Sequence, residues 1–404
     1  MTTSSHVEGF HSIFNQSKTV RSIEKMKIAL NATALLSPLT GIGQYTYHLA
    51  KGLQALPEVE LDLFYGSYWN EELRNSPVIG IAVIKYLLKL ITPNSYSVGR
   101  FLQQRNFTSG VLSNRPEVYH EPNFLAFKFN GPSVITVHDL SWIRFPHTHP
   151  VERVRAMDTY FEQGLRRAAL ILTDSEFVKR ELMAVFGIQA ERIKPVLLGV
   201  EPLFHPRTAE DTRSVLARHD LVHGQYLLAV GTLEPRKNLQ VALRAYMQLP
   251  QQVRKRFPLV LVGMKGWRTS ELEKQIAPLV RAGEVRQIGY LPREELAMVI
   301  AGALTLIYPS IYEGFGLPPL EAMACGVPVI ASDISSLPEV VGDTGLLINP
   351  HDDTALAEVI QKLIMDTDLR RQLSQKALTR SAEFTWDKCV TKTVDVYRQA
   401  LQGG

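Results

Sequence analysis

An α/β protein made of two doubly wound parallel sheets is what this sequence predicts, and three observations predict it. Short apolar runs of strand length recur along the chain, helical segments separate them, and the pattern lapses once near the middle. In the first half the runs are IALN, LDLFY, SVITVH, LILTDS and IKPVLLGV, with EFVKRELMAVF as an intervening helix. In the second half they are YLLAVG, PLVLVG, VRQIGY, ALTLIYP, VPVIAS and GLLINP. No hairpin signal interrupts that second series, so its strands pair in parallel. At EPLFHPRTAED, residues 201–211, prolines and charges replace the periodicity, which reads as a linker. The expected organisation is a polar, disordered extension over 1–25, a first domain over 26–205, a second over 206–384 and a terminal helix over 385–404. That helix is marked by the spacing of Trp386, Cys389, Val390, Val394 and Tyr397.

Composition agrees and removes several classes of function. A chain of 404 residues with 45% hydrophobic and 21% charged content is long and apolar enough for two cores. Cys325 and Cys389 are its only cysteines, far apart and without disulfide or metal spacing, which fits a reducing cytoplasm. A formal net charge of +4, with no arginine-rich tract, argues against a nucleic-acid partner.

The segment EGFGLPPLE, residues 313–321, carries the most chemistry. It follows the strand ALTLIYPS, and its glycines and prolines read as a loop opening a helix that holds Glu321 in the first turn. N–H groups around Phe315, Gly316 and Leu317, with the positive helix end, suit a diphosphate, and a nearby carboxylate can accept hydrogen bonds from a ribose diol. The plainer alternative is two glutamates favoured by the strand end and the helix dipole. A second piece, YLLAVGTLEPRKN, ends a strand at Gly231 and places Arg236 and Lys237 before a helix opening at Asn238. Ligands of open α/β sheets bind at the carboxyl edge, so both pieces can meet one nucleotide-bearing ligand. Taken alone, Arg236-Lys237 would be a solvated basic turn.

In the first domain, Gly41-Ile42-Gly43 lies between a strand and a helix expected to begin near Gln44. The third glycine of a dinucleotide fingerprint would fall at Thr46, and LDLFY lacks an acidic end, so an NAD site is not expected. Gly41 and Gly43 either let backbone approach a phosphate or acceptor, or simply make a tight turn. His138 ends SVITVH at the same edge and is followed by Asp139, and Ser175 reads as a helix N-cap with Glu176 behind it.

These residues together resemble the retaining glycosyltransferases of family 4, with the GT-B fold. The resemblance rests on Glu313 to Glu321, the EPRKN turn at 234–238, GIGQYTYHL and TVHDLSW, and it extends from about Met26 onward. It implies two Rossmann-like domains facing across a cleft, with a nucleotide sugar held mainly by the second. It also implies that His138 contacts the donor sugar, that Tyr290 and Leu291 lie where the base is received, and that the anomeric configuration is retained. The wording is most similar to bacterial mannosyltransferases of O-antigen and exopolysaccharide assembly, which suggests GDP-mannose as donor, with a UDP-hexose open. The expected donor site is Gly41, Gly43, Gly231, Arg236, Lys237, Tyr290, Leu291, Glu313, Gly314, Phe315, Gly316, Leu317 and Glu321; His138, Glu313, Arg236 and Lys237 carry the catalysis.

Fixed cations aimed at a departing diphosphate need little reorganisation, so no metal and no cofactor are expected. Glu313 would position the sugar and Glu321 the ribose. The competing metal motif, Asp366-Thr367-Asp368, falls at a helix start, where acidic caps are expected. A glycosidase using Glu313 and Glu321 leaves the Arg-Lys pair unexplained. Two further alternatives are a non-catalytic nucleotide-sugar sensor and an oxidoreductase. Finally, no acidic residue occurs between Glu72 and Glu117, whereas Arg74, Lys85, Lys89, Arg100, Arg105 and Arg115 do. That stretch is either an ordinary domain helix or a basic face on anionic lipid at the inner side of the plasma membrane, in which case the acceptor is a polyprenyl-diphosphate saccharide or glycolipid.

Overall fold

The computed structural model describes residues 25–37, 39–74, 95–149, 151–266 and 270–403. The expected extension, apart from Lys25, and Lys85 and Lys89 therefore lie outside the described residues.

Two sheets form, one in each half. The first comprises Met26–Asn31 (β1), Val59–Phe64 (β2), Trp69–Asn70 (β3), Val118–Glu121 (β4), Ser133–Val137 (β5), Leu170–Thr173 (β6) and Ile193–Pro195 (β7). Their spatial order is β3-β2-β1-β4-β5-β6-β7. All neighbours are parallel except the edge pair of β2 and β3, where Leu63 faces Asn70 and Phe64 faces Trp69. The second comprises Leu227–Val230 (β8), Leu259–Val262 (β9), Val285–Gly289 (β10), Thr305–Tyr308 (β11), Val329–Ser332 (β12) and Leu346–Ile348 (β13), ordered β10-β9-β8-β11-β12-β13 and wholly parallel. The expected doubly wound class is what forms. Strands β3 and β4 were not among the expected runs: β3 is two residues long, and VYHE is too polar to read as a buried strand.

Each sheet is apolar on both faces because helices cover both, as parallel sheets require. The helix Gly41–Gln54 and the terminal helix Trp386–Gln402 share one core on the first sheet, where Leu49, Leu53, Val390, Val394 and Tyr397 are buried together. The same core contains Phe315 and Leu320 from the loop and helix after β11, so the two halves meet through apolar contact. Tyr397 fastens the terminal helix further, its hydroxyl lying 2.6 Å from Nδ1 of buried His120 at β4.

Three local expectations are corrected. The helix after Gly41-Ile42-Gly43 begins at Gly41, not near Gln44. The helix after Gly316 spans Leu317–Ala324, which makes Glu321 its fifth residue, one turn further in than expected. A helix also begins at Ala209 inside the expected linker, started by a capping box in which Thr208 and Asp211 exchange hydrogen bonds.

Candidate active site

Strand order in the second sheet reverses between β8 and β11, which are hydrogen-bonded neighbours although β9 and β10 lie to one side and β12 and β13 to the other. Connections diverge there and leave a crevice at the carboxyl ends. From β8 the chain passes Gly231 into the turn Pro235–Lys237 and then Asn238, whose backbone is left-handed at φ +54°. The Asn238 amide donates to Pro309 O at 3.0 Å and Pro350 O at 2.7 Å, tying the turn to the loops after β11 and β13.

Arg236, Lys237 and Glu313 meet in this crevice. Lys237 Nζ donates to Glu313 Oε1 at 2.6 Å, and Arg236 Nη1 to Oε2 at 3.2 Å. Arg236 also donates to Glu234 Oε1 at 2.7 Å and to Tyr312 O at 2.6 Å. The Tyr308 hydroxyl accepts from Lys237 at 2.7 Å and donates to Glu313 Oε1 at 3.1 Å. Burial would raise the Glu313 carboxyl, but the Lys237 and Arg236 charges outweigh it and hold its pKa at about 2. The carboxylate is therefore ionised, and two cations balance two carboxylates before any anion enters.

The loop behind Glu313 is fixed from β12. Ser336 Oγ donates to Glu313 O at 2.9 Å and Phe315 O at 2.8 Å, while Glu313 N donates to Ser335 Oγ at 3.2 Å. Gly316 then adopts φ +120°, a conformation L side chains rarely take, and the helix starts. In its first turn Pro318 and Pro319 carry no N–H and Leu320 N donates to Gly316 O at 3.2 Å, which leaves the Leu317 N–H as the donor without an acceptor inside the helix.

The first domain closes on this loop. The Tyr312 hydroxyl accepts from Leu140 N at 2.9 Å and donates to Glu181. Ser175 Oγ caps its helix by accepting from Val178 N at 3.3 Å, and donates across the cleft to Gly314 O at 2.7 Å. Glu339 accepts from Glu176 N at 2.8 Å and Phe177 N at 2.7 Å, placing a second-domain carboxylate on a first-domain helix start.

His138, expected at the donor sugar, has its ring held within the first domain. Its Nδ1 lies 2.7 Å from Asp174 Oδ2 and its Nε2 2.8 Å from Pro122 O. A carbonyl only accepts, so Nε2 carries a proton, and the Asp174 carboxylate favours a second one on Nδ1. Burial alone would lower the imidazole pKa; Asp174 reverses that and raises it. Both nitrogens are thus occupied within the first domain, and the part of His138 that reaches the second domain is its carbonyl, against Gly314.

The remaining expected residues divide. Gly41 is exposed with open space beside its α-carbon, whereas Gly43 packs on Leu39. Tyr290 is exposed and Leu291 buried on the loop before Arg293–Ala301. Glu321 is buried and paired with Arg293, Nη1 to Oε1 at 2.8 Å. Asp366 accepts from Leu369 N as an N-cap, as the capping reading had it. Sequence reasoning missed Tyr308, Tyr312, Asp174, Ser335, Ser336, Arg293 and Glu339. It also missed Glu121, which ends β4 at the switch point of the first sheet, accepts from Asn31 Nδ2 at 2.8 Å, and is raised by burial to about 7. A usable signal existed for Asp174 alone: it follows the strand LILT as Asp139 follows SVITVH.

The model for glycosyltransferase family 4 matches residues 39–204, and that for glycosyl transferases group 1 matches residues 219–380. The chain belongs to this glycosyltransferase family. An O-antigen chain mannosyltransferase B from Escherichia coli is 37% identical over 379 residues, spanning 92% of this chain and 100% of that one. A sucrose-phosphate synthase from Thermosynechococcus elongatus superposes with a TM-score of 0.71 at 20% identity, covering 94% of this chain and all of the other. Anabaena HepE in complex with UDP-glucose does so at 0.69 and 18%, covering 93% and 100%. Those two likenesses bear on the fold alone.

Proposed function

We propose that this glycosyltransferase moves mannose from GDP-mannose to a growing, lipid-linked surface polysaccharide, with retention and without a metal. The observation that carries the reading is the convergence of Arg236, Lys237 and Glu313 at the ends of neighbouring strands β8 and β11. Similarity to an O-antigen mannosyltransferase over nearly the whole chain supports mannose as the sugar. As the donor enters, its diphosphate takes over the hydrogen bonds that Arg236 and Lys237 now give Glu313, and the freed carboxylate accepts from sugar hydroxyls. The acceptor hydroxyl oxygen then bonds to the anomeric carbon on the face from which the diphosphate leaves. The C–O bond to phosphate breaks, its electrons stay on the phosphate oxygen, and that oxygen takes the acceptor proton. The charge grows between fixed cations in a partly dry crevice, where they act most strongly. His138, its ring locked by Asp174 and Pro122, contributes by setting the backbone against which Gly314 rests.

The acceptor reading includes an anionic membrane surface. On the helix Ser95–Asn114, Val98, Phe101, Leu102 and Leu112 are exposed apolar side chains at helical spacing, with exposed Arg105 on the same face. Arg100 does not belong to that face: it donates to Leu125 O and Ala126 O and lies over Phe127 and Tyr160. Among the described residues no helix is long and apolar enough to cross a membrane.

The deciding experiment is release of nucleoside diphosphate from GDP-mannose and a UDP-sugar panel, with purified protein and membrane lipid extract, with and without EDTA. Release from GDP-mannose that survives EDTA and falls by about a hundredfold or more in Lys237→Ala supports the reading. Release from a UDP-hexose alone would replace the donor, and loss with EDTA would replace the mechanism.

A further inference from the structure

Glu321 is one end of a chain of charged contacts that runs to the first domain. Its carboxyl is raised by burial, and the Arg293 guanidinium, 2.8 Å away, works against that rise. Arg293, the first residue of the helix Arg293–Ala301, donates from Nε to Glu201 Oε1 at 2.9 Å and from Nη2 to the same oxygen. The guanidinium lies over the Phe204 ring at 4.6 Å. Glu201 belongs to the segment joining the halves, and its Oε2 is 3.5 Å from His48 Nε2 on the helix Gly41–Gln54. His48 in turn stacks on Trp386 of the terminal helix, with ring centroids 4.6 Å apart and planes 11° apart. The charged groups facing Glu321 are thus Arg293, which favours the ionised form, and Glu201, which opposes it.

We propose that Arg293 is a positioning residue, which holds the Glu321 carboxyl aimed at the donor ribose and is itself anchored by Glu201 between the domains. The inference rests on the reading that Glu321 receives the ribose diol. An ionised carboxylate accepts from both hydroxyls, whereas a protonated one must donate its own proton and loses an acceptor. Arg293 does this from a fork already braced by a second carboxylate and an aromatic face, so it cannot follow Glu321 into another rotamer without breaking those contacts. The bracing carboxylate stands between the domains, so the arrangement is held best when the halves are seated as here.

The test is calorimetric titration of the full-length protein with GDP and 2′-deoxy-GDP, and with UDP and 2′-deoxy-UDP. It is run for wild type, Arg293→Gln, Arg293→Lys and Glu321→Ala between pH 5.5 and 8.5. Wild type is expected to prefer the ribonucleotide by roughly tenfold or more, the scale of one hydrogen bond to a charged group. Glu321→Ala should abolish the preference, and Arg293→Gln should reduce it to about twofold at low pH and recover part of it as pH rises and Glu321 ionises. Arg293→Lys, which returns the charge without the fork, should restore part of it. Should Arg293→Gln not fold, Arg293→Met, of similar length and uncharged, carries the same arm. Full preference in the uncharged variant at every pH, beside its loss in Glu321→Ala, would overturn the role of Arg293 while leaving the ribose reading intact. No preference in wild type would overturn the ribose reading, and the proposal with it.

Discussion

The carbonyl oxygen of His138 stands where a β-carbon on Gly314 would need to be, 1.7 Å from that position. The obstacle is backbone on the other domain, not a flexible side chain, so no rotamer change relieves it. A contact this close sets the distance between the loop that carries Glu313 and the edge of the first sheet. Gly314→Ala is therefore expected to push the halves apart and lower turnover about a hundredfold, the scale of a 1 Å misplacement of reacting groups. Small-angle scattering should show a larger radius of gyration, and nucleotide affinity, which depends mainly on the second domain, should fall much less than turnover.

Lys237→Ala removes the cation that holds Glu313 at 2.6 Å and that would meet the leaving diphosphate. Loss of one such preorganised group costs on the order of 10²–10³ in kcat. Glu313→Gln keeps the shape but withdraws the charge and should also cost at least tenfold. Single-turnover diphosphate release distinguishes a slowed chemical step from weakened donor binding.

The pH dependence has a definite sign. Glu313 is depressed from 4.5 to about 2, so its contribution to stability is fully present above pH 4.5 and is lost as pH falls toward 2. The kcat/KM profile of wild type should show no limb from Glu313 between pH 5 and 8. In Lys237→Ala, where burial acts against one cation fewer, an acidic limb should move up toward that range.

His138 is raised above 6.5, and the stabilising contribution of its charged ring is present below 6.5 and lost as pH rises through its folded value. Asp174→Asn removes the carboxylate that sustains it. The variant should unfold at lower temperature at pH 6, with a smaller deficit at pH 9, and NMR of the imidazole should show the ring titrating below its wild-type midpoint.

Tyr312→Phe deletes a hydroxyl that bridges Leu140 N and Glu181 across the cleft. The buried N–H of Leu140 loses its partner, at a cost of about 1–3 kcal/mol. Thermal unfolding should record the loss, and turnover should fall more than donor affinity, because the bridge joins the domains and touches neither Arg236 nor Lys237.

Much of the frame was legible because it depends on local pattern. Six apolar runs of the second half became the six strands of its sheet, and Ser175 and Asp366 became the caps their neighbours suggested. The Arg236-Lys237 turn and Glu313 were legible as a site because each follows a strand, and the carboxyl edge of a parallel sheet is where such loops gather. The surroundings of His138 were not legible for the opposite reason: its partners, Pro122 and Asp174, are 16 and 36 residues away, and no local pattern announces them. Strand β4 was missed because His120 and Glu121 are polar, and burying them depends on Tyr397, Thr136 and Asn31, which arrive from elsewhere.

By itself the sequence determined the doubly wound class and the loops that carry chemistry, since hydrophobic period and glycine or proline placement act within a few residues. It did not determine how charges are shared. Only the folded chain decided that Glu313 lies on both cations, that Glu321 is held by Arg293 and Glu201, and that His138 turns its ring inward and its carbonyl to Gly314. Those pairings join residues distant along the chain, and burial makes each depend on every other charge within a few ångströms.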